Sequence, residues 1–238
     1  MGGSLLIVRF LGLRPYVEAW QAMRVFTDTR DRATPDELWL LEHPPVFTLG
    51  QATRPGHLHD PGVIPVVQSD RGGQVTYHGP GQLVAYLLLD LRRAGLGVKR
   101  LVHLLERAVI DVLAGESITA AARPDAPGVY VEGAKIASLG LRVRDGCCYH
   151  GVALNLDLDL APFERIDPCG FPALAVTRLV DLGVAPPRLA EMGRRLAEQI
   201  AALLGSEMSW AGSEPIPLPD SSHEADGRPR DPGPQTLR

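Results

Sequence analysis

Lysine is almost absent from this chain: of its 24 basic residues only Lys99 and Lys135 are Lys, and the other 22 are Arg. A guanidinium holds its proton near neutral pH, whereas a partly buried ammonium can release one, so a Lys here marks a place where proton exchange matters. Aromatic residues make up only 5%, so the core must be mainly aliphatic. Cysteine is scarce and odd in number, at 147, 148 and 169. Without a secretory signal, that pattern excludes a disulfide framework and points to reduced thiols. No apolar stretch approaches the ~20 residues of a membrane helix. Residues 5–8 are too short for a signal-peptide core, and Leu6 stands where a myristoylation signal needs Ser or Thr. A cytoplasmic location is therefore expected. No basic run exceeds two residues and the net charge is -4, which argues against a general nucleic-acid binder.

What is present is an ordinary globular composition, 238 residues with 45% hydrophobic and 22% charged. Residues 1–210 are expected to form one domain able to bury a continuous core. Residues 211–238 carry six Pro and few apolar side chains and are expected to be a disordered tail.

Apolar periodicity places a first strand at 4–11 and an amphipathic helix after Pro15, with Tyr16, Trp20, Met23 and Phe26 on one stripe. A strand at 38–42 is interrupted by Pro44-Pro45 and resumes at 46–49, which suggests an edge or bent strand. A short strand follows near 64–67, a glycine-punctuated loop at 70–82, an apolar strand at 83–91 and a helix over 98–113. Strands are expected at 117–122, 129–132, 135–144 and 148–158, with Asp145-Gly146 as a hairpin turn between the last two. Two helices, 174–182 and 188–204, complete the pattern. Interleaved helices and strands with at least one hairpin predict an α/β fold of the α+β type, its sheets mixed and largely antiparallel.

Three segments hold the candidate chemistry. Cys169 lies between Pro168 and Gly170, outside any apolar period, where a thiol can face a ligand. Most free Cys residues are small core hydrophobes, and Cys147 and Cys148, at a strand start, fit that role. A thiol attacks as thiolate, and an unperturbed pKa near 8.5 leaves about 3% ionised at neutral pH, so a reactive Cys needs a nearby cation or base. Lys135, amid Gly133-Ala134-Lys135-Ile136-Ala137-Ser138-Leu139-Gly140, is the candidate partner; an ordinary strand Lys would face solvent. The loop Arg71-Gly72-Gly73-Gln74-Val75-Thr76-Tyr77-His78-Gly79-Pro80-Gly81-Gln82 gathers polar groups on a glycine-rich backbone, without the Gly-Lys-Ser/Thr ending of a nucleotide loop. A metal site built from His57, His59, Cys147, Cys148 and His150 matches no zinc spacing and is set aside.

These segments, with Asp167-Pro168-Cys169-Gly170-Phe171-Pro172, Glu42-His43-Pro44-Pro45-Val46-Phe47-Thr48-Leu49-Gly50-Gln51 and Tyr149-His150-Gly151-Val152-Ala153-Leu154-Asn155, closely resemble the octanoyltransferases of lipoate biosynthesis, in order and at family spacing from about 39 to 181. The resemblance implies a biotin/lipoate protein ligase-like catalytic domain and an ATP-independent acyltransferase. It would move an octanoyl group from octanoyl-acyl carrier protein to a lysine of lipoyl domains, those of 2-oxoacid dehydrogenase E2 subunits and of glycine cleavage H protein. By motif position Cys169 would carry the acyl group as a thioester and Lys135 would lower its pKa. Arg71, Gly72, Gly73, Gln74, Val75, Thr76, Tyr77 and His78, with Ser138, Leu139, Gly140, Gly151, Val152 and Ala153, would line the acyl and pantetheine pocket. No metal, cofactor, nucleic acid or membrane is implied. Arg92, Arg93, Lys99 and Arg100 are candidates for a patch that docks acidic partners. Two other classes stay open on the residues alone: an ATP-using lipoate or biotin ligase, and a non-catalytic acyl-binding module with an inert Cys169.

Overall fold

A computed structural model describes residues 4–171, 174–185 and 189–211, with Cys169 described by its backbone alone. The tail expected to be disordered lies, from 212 onward, outside the described residues. The framework is a mixed eight-stranded sheet in the order β11-β1-β2-β6-β10-β9-β8-β7. Its strands are β1 (Leu5–Leu13), β2 (Asp36–Glu42), β6 (Gln82–Asp90), β7 (Ala121–Ala122), β8 (Gly128–Val131), β9 (Ala134–Arg144), β10 (Cys147–Asn155) and β11 (Glu207–Trp210). Within this sheet only β1 makes parallel pairs, with β2 and with β11, so the predicted mixed and largely antiparallel sheet is what forms. A second sheet of three strands, β4 (Val66–Gln68), β3 (Val46–Leu49) and β5 (Thr76–His78), lies apart from it.

Strands β2 and β6, adjacent in the interior of the sheet, are buried along nearly their whole length because both faces of the sheet are covered. Alternate residues go to opposite sides. Leu38, Leu40, Leu83, Ala85, Leu87 and Leu89 join the core built with helices α3 (Val98–Ala114) and α4 (Leu189–Leu204). Trp39, Leu41, Val84, Tyr86 and Leu88 join the core under helix α1 (Tyr16–Thr29). A four-residue helix, α2 (Leu91–Ala94), is capped by the Asp90 carboxylate and follows β6 directly. The hairpin at Asp145-Gly146 forms as predicted, with positive φ at both residues (49° and 76°) as a type I′ turn requires.

Three expectations are corrected. Pro44 and Pro45 create neither an edge nor a bent strand; they separate β2, which is central in the large sheet, from β3, which is central in the small one. The stretch 117–122 contributes only the two residues of β7. In place of a helix over 174–182, Val176 bridges Lys135 in parallel and only Leu179–Leu182 form a 3-10 turn. Apolar spacing alone does not separate those outcomes when the segment is pinned by backbone bonds to a strand. Strand β11 had no counterpart in the periodicity. Among the described residues, no helix is long and apolar enough to cross a membrane.

Candidate active site

A cleft enclosing about 570 Å³, part of it open to solvent, lies on the α1 side of the sheet. Its apolar walls come from Val75, Val84, Leu139, Val152 and Ala153. The loop before β5 forms one side and is fastened to the two sheets: Gly72 N donates to Leu141 O (2.9 Å), Gln51 N to Arg71 O (3.0 Å) and Ala52 N to Gly73 O (3.0 Å). Arg71, 7% exposed, uses its guanidinium to tie the loop to β3, donating to Thr48 Oγ1 (3.0 Å), Thr48 O (2.6 Å) and Gly72 O (2.9 Å). It is thus a buried brace as well as a wall of the cleft.

Burial separates the mouth of the cleft from its closed end. Gly73, Gln74, Thr76 and Ser138 to Gly140 are partly or fully exposed, whereas Tyr16, His78, Tyr86 and His150 are buried. The buried end is a cage of rings: Tyr16 stacks on His78 (5.8 Å), and His43 lies 5.6 Å from His78 and 5.7 Å from Tyr86, whose other neighbour is His150 (5.8 Å). Their partners fix the tautomers. His43 gives Nδ1–H to the Arg14 carbonyl and accepts at Nε2 from Tyr86 Oη, both 2.7 Å. His78 gives Nδ1–H to Gln82 Oε1 (2.7 Å), and Gln82 in turn donates to Asn155 Oδ1 (2.9 Å). His150 gives Nε2–H to Asp70 Oδ1 (2.9 Å), a carboxylate that also receives Trp20 Nε1–H (2.7 Å) and the Tyr149 hydroxyl.

The cage is neutral. Burial holds His43 down to about 4 and His78 well below its ordinary value. Burial also lowers His150, against the opposing pull of Asp70. For Asp70 burial acts upward, but the hydrogen bonds from His150 and Tyr149 outweigh it and keep the carboxyl at about 2.

Lys135, the second residue of β9, is only 2% exposed. Its Nζ donates to Pro127 O at 3.0 Å and lies 5.4 Å from the centre of the Tyr130 ring. Space for the stem exists because residue 128 is Gly: a Cβ there would sit 2.5 Å from Lys135 Cε and 2.8 Å from Ala137 O, at a φ of 149° that suits glycine alone. Where the β10 ladder stops, the chain downstream of Cys169 takes its place: Lys135 N donates to Ala175 O (2.7 Å) and Thr177 N to Lys135 O (2.9 Å). Cys169 itself occupies the 3-10 turn Pro168–Gly170. Asp167, just ahead of the turn, is tied to the 57–59 loop through its N–H to His57 O (2.9 Å) and through His59 Nε2 on its carboxylate (3.0 Å).

The structure therefore gathers Arg71, Gly73, Gln74, Val75, Thr76, His78, Ser138, Leu139, Gly140, Gly151, Val152 and Ala153 around one cleft with Pro168. Tyr77 turns away, into a cluster with Phe47, Phe163 and Ile166. Gly72 borders a second groove behind the loop, with Val98, Val102, Pro127 and Phe171. The Cys169 side chain lies outside the described residues. Cys147 and Cys148 are buried, and burial pushes the Cys148 thiol up to about 12, so that it is inert. Among the described residues no group of three His, Cys, Asp or Glu is placed to hold a metal. Tyr16, His43, Tyr86 and Asp70 had not been singled out by sequence; they come from four separate elements, and only the fold brings them together. Of the basic patch, Arg93 is turned onto Asp36 (2.5 Å) and Thr34 O (2.9 Å), Arg92 lies 3.7 Å from the Asp90 carboxylate and stays exposed, and Lys99 and Arg100 are exposed at the start of α3.

Residues 15–201 match the lipoyl protein ligase A/B catalytic domain. The chain is 63% identical to the octanoyltransferase of Azotobacter vinelandii over 202 residues, 85% of this chain and 93% of that one. Its fold is similar to a bi-partite lipoate protein ligase from Thermoplasma acidophilum, with a TM-score of 0.69 and 16% identity over 89% of this chain and 87% of the other. It is also similar to the biotin protein ligase of Aquifex aeolicus, with a TM-score of 0.51 and 11% identity over 84% and 69%.

Proposed function

This chain belongs to the lipoyl protein ligase A/B catalytic-domain family and is an acyltransferase that moves octanoyl groups in protein lipoylation, and from that premise we propose a two-step route through a thioester on Cys169. The observation that carries the reading is Lys135. It is buried in a strand whose backbone binds the chain immediately downstream of the Cys169 turn.

In the first step the Cys169 thiolate attacks the carbonyl carbon of octanoyl-acyl carrier protein, and the carrier's thiolate leaves and takes a proton from the Lys135 ammonium, which is left neutral. The Lys135 ammonium stabilises the attacking thiolate. A unit charge at ~4 Å is worth at most about 4 kcal/mol at an effective dielectric of 20, enough to lower a thiol by two or three pKa units. In the second step the amine of an acceptor lysine attacks the acyl-enzyme carbonyl. The new amide forms, the Cys169 thiolate is released, and neutral Lys135 takes the amine's proton; the two groups titrate as a coupled pair. Thioester exchange is nearly isoenergetic and aminolysis runs downhill, so no nucleotide is needed.

The cleft described above receives the acyl chain. Burying seven methylenes contributes roughly 5 kcal/mol, at about 0.8 for each. The groove beside Gly72, with Lys99 and Arg100 near the start of α3, receives the donor's arm and an acidic carrier surface. The acceptors are lipoyl domains of 2-oxoacid dehydrogenase E2 subunits and the glycine cleavage H protein.

Intact-mass measurement after incubation with octanoyl-acyl carrier protein tests the route. The full chain gains one octanoyl group, labile to hydroxylamine and mapped to Cys169, and Cys169→Ala gains none. An undiminished adduct on Cys169→Ala refutes the thioester. Acid-dependent ATP–pyrophosphate exchange would point instead to adenylate chemistry.

A further inference from the structure

Helix α3 turns one carboxyl into the protein. Glu106 lies among Leu101, Leu105, Val109 and Val112 on the buried side of the helix and is 3% exposed. A carboxyl in such a place costs stability unless its oxygens are bonded, and here they are. Oε1 accepts the backbone N–H of Gly128 (3.0 Å), and Oε2 lies 3.2 Å from His103 Nδ1. The other end of that same peptide unit, the Pro127 carbonyl, accepts from Lys135 Nζ at 3.0 Å. A trans peptide is planar and points its N–H and C=O in opposite directions, so a group that holds one end aims the other. The unit turns about two bonds, ψ of Pro127 and φ of Gly128, and glycine restricts the second very little. The Glu106 bond removes that freedom on one side of the unit, and on the other Ala126 is fixed by burial and by the Tyr130 hydroxyl on its carbonyl (2.8 Å).

We propose that Glu106 is a positioning residue for Lys135: through the Pro127–Gly128 peptide it sets where the ammonium sits, and so how strongly that ammonium acts on the Cys169 thiol. The inference rests on the reading of Lys135 and Cys169 as the reacting pair. Glu106 works through one peptide unit and takes no part in the bond changes. A Gln in its place still offers an acceptor oxygen to Gly128 N–H and an N–H to His103 Nδ1, so it keeps the hold. A Leu fills the space without holding anything, and an Asp is one methylene too short. The charged groups around this assembly are His103 on α3, largely exposed, and Arg123 between β7 and β8, whose guanidinium lies 5.1 Å from the Tyr130 ring.

The test follows alkylation of Cys169 by iodoacetamide against pH in the full-length protein, with the modified residue identified by peptide mass mapping. Lys135→Ala is the reference: with the ammonium gone, the pH at which the reactive thiolate appears should rise by about two units. Glu106→Leu should raise it by about one unit, because the ammonium is present but no longer held, and Glu106→Gln should keep it within about 0.3 of wild type. A Glu106 that only stabilises the fold would lower the melting temperature and leave the alkylation profile in place. That result, or a Glu106→Gln profile displaced as far as that of Glu106→Leu, would overturn the inference. Should Glu106→Leu fail to fold, Glu106→Asp replaces it, with a shift in the same direction expected and an unmoved profile overturning the role. The series is repeated in His103→Gln, since that imidazole titrates in the same window; a Glu106→Leu shift that vanishes there belongs to His103 and overturns the role of Glu106. A profile that Lys135→Ala does not move would overturn the reading of the reacting pair, and the inference with it.

Discussion

Lys135 sits in an eleven-residue strand held between β8 and β10, whereas Cys169 sits in a three-residue 3-10 turn closed by two local bonds, Gly170 N to Asp167 O and Phe171 N to Pro168 O, at 2.9 and 3.1 Å. The strand is a platform laddered to β8 and β10 and, at Lys135, bonded to residues 175–177 far along the chain. The turn is fixed at its two ends, by the 57–59 loop upstream and by Lys135 through residues 175–177 downstream. A reaction that must hold an acyl group and release it to a second partner is well served by this division. On the proposed route the base would keep its place, and the nucleophile would be carried by the smaller element.

Substitution at the platform should do the most damage. Gly128→Ala forces a Cβ against Lys135 and the Ala137 carbonyl at a φ open only to glycine. A loss of about 3 kcal/mol or more in stability is expected by denaturant melting, together with loss of turnover. An unaffected Gly128→Ala would show that the platform is softer than its ladder implies. Lys135→Arg keeps the charge but removes the exchangeable proton and adds bulk in a site 2% exposed. Turnover should fall about a hundredfold, roughly 2.7 kcal/mol. A wild-type rate would remove Lys135 from proton transfer.

Acidification probes the floor of the cleft. The folded-state value of His43 is depressed to about 4 from an ordinary 6.5, so the unfolded chain binds the extra proton first. Stability is then lost as pH falls from about 6.5 toward 4, at up to about 1.4 kcal/mol per pH unit for each such imidazole. Melting temperatures across that window measure the slope, and His43→Gln should flatten it. The smallest effect belongs to the turn. Gly170→Ala meets only the flexible Gln74 amide, at a φ of 71°, and should cost about 1 kcal/mol. If it costs as much as Gly128→Ala, the contrast between platform and turn fails.

Much of this was legible in the residues because the relevant signals are local. The Asp145-Gly146 turn, the glycine-rich loop, the stripe of α3 and the isolated Lys135 each announce themselves within a dozen positions. The rest depends on contacts that no window contains. Val176 lies extended because Lys135 offers it a free strand edge, so an apolar period that fits a helix became a bridge. Tyr77 belongs to the same loop as Arg71 and His78, yet strand alternation in β5 turns its ring to the opposite side. The sequence marks His150 as part of a motif but not its role, because neither its left-handed backbone nor its distance from Asp70 leaves a trace in the sequence.

One carboxylate joins three parts of the molecule. Asp70 binds Trp20 on α1, and Tyr149 and His150 on β10, from a loop that leads into the wall of the cleft. Such a junction makes cooperative melting the natural outcome: α1 cannot lift from the sheet without taking the Trp20 donor from the carboxylate. Calorimetry should record the collapse of the cleft and of the whole domain as a single heat-absorption peak.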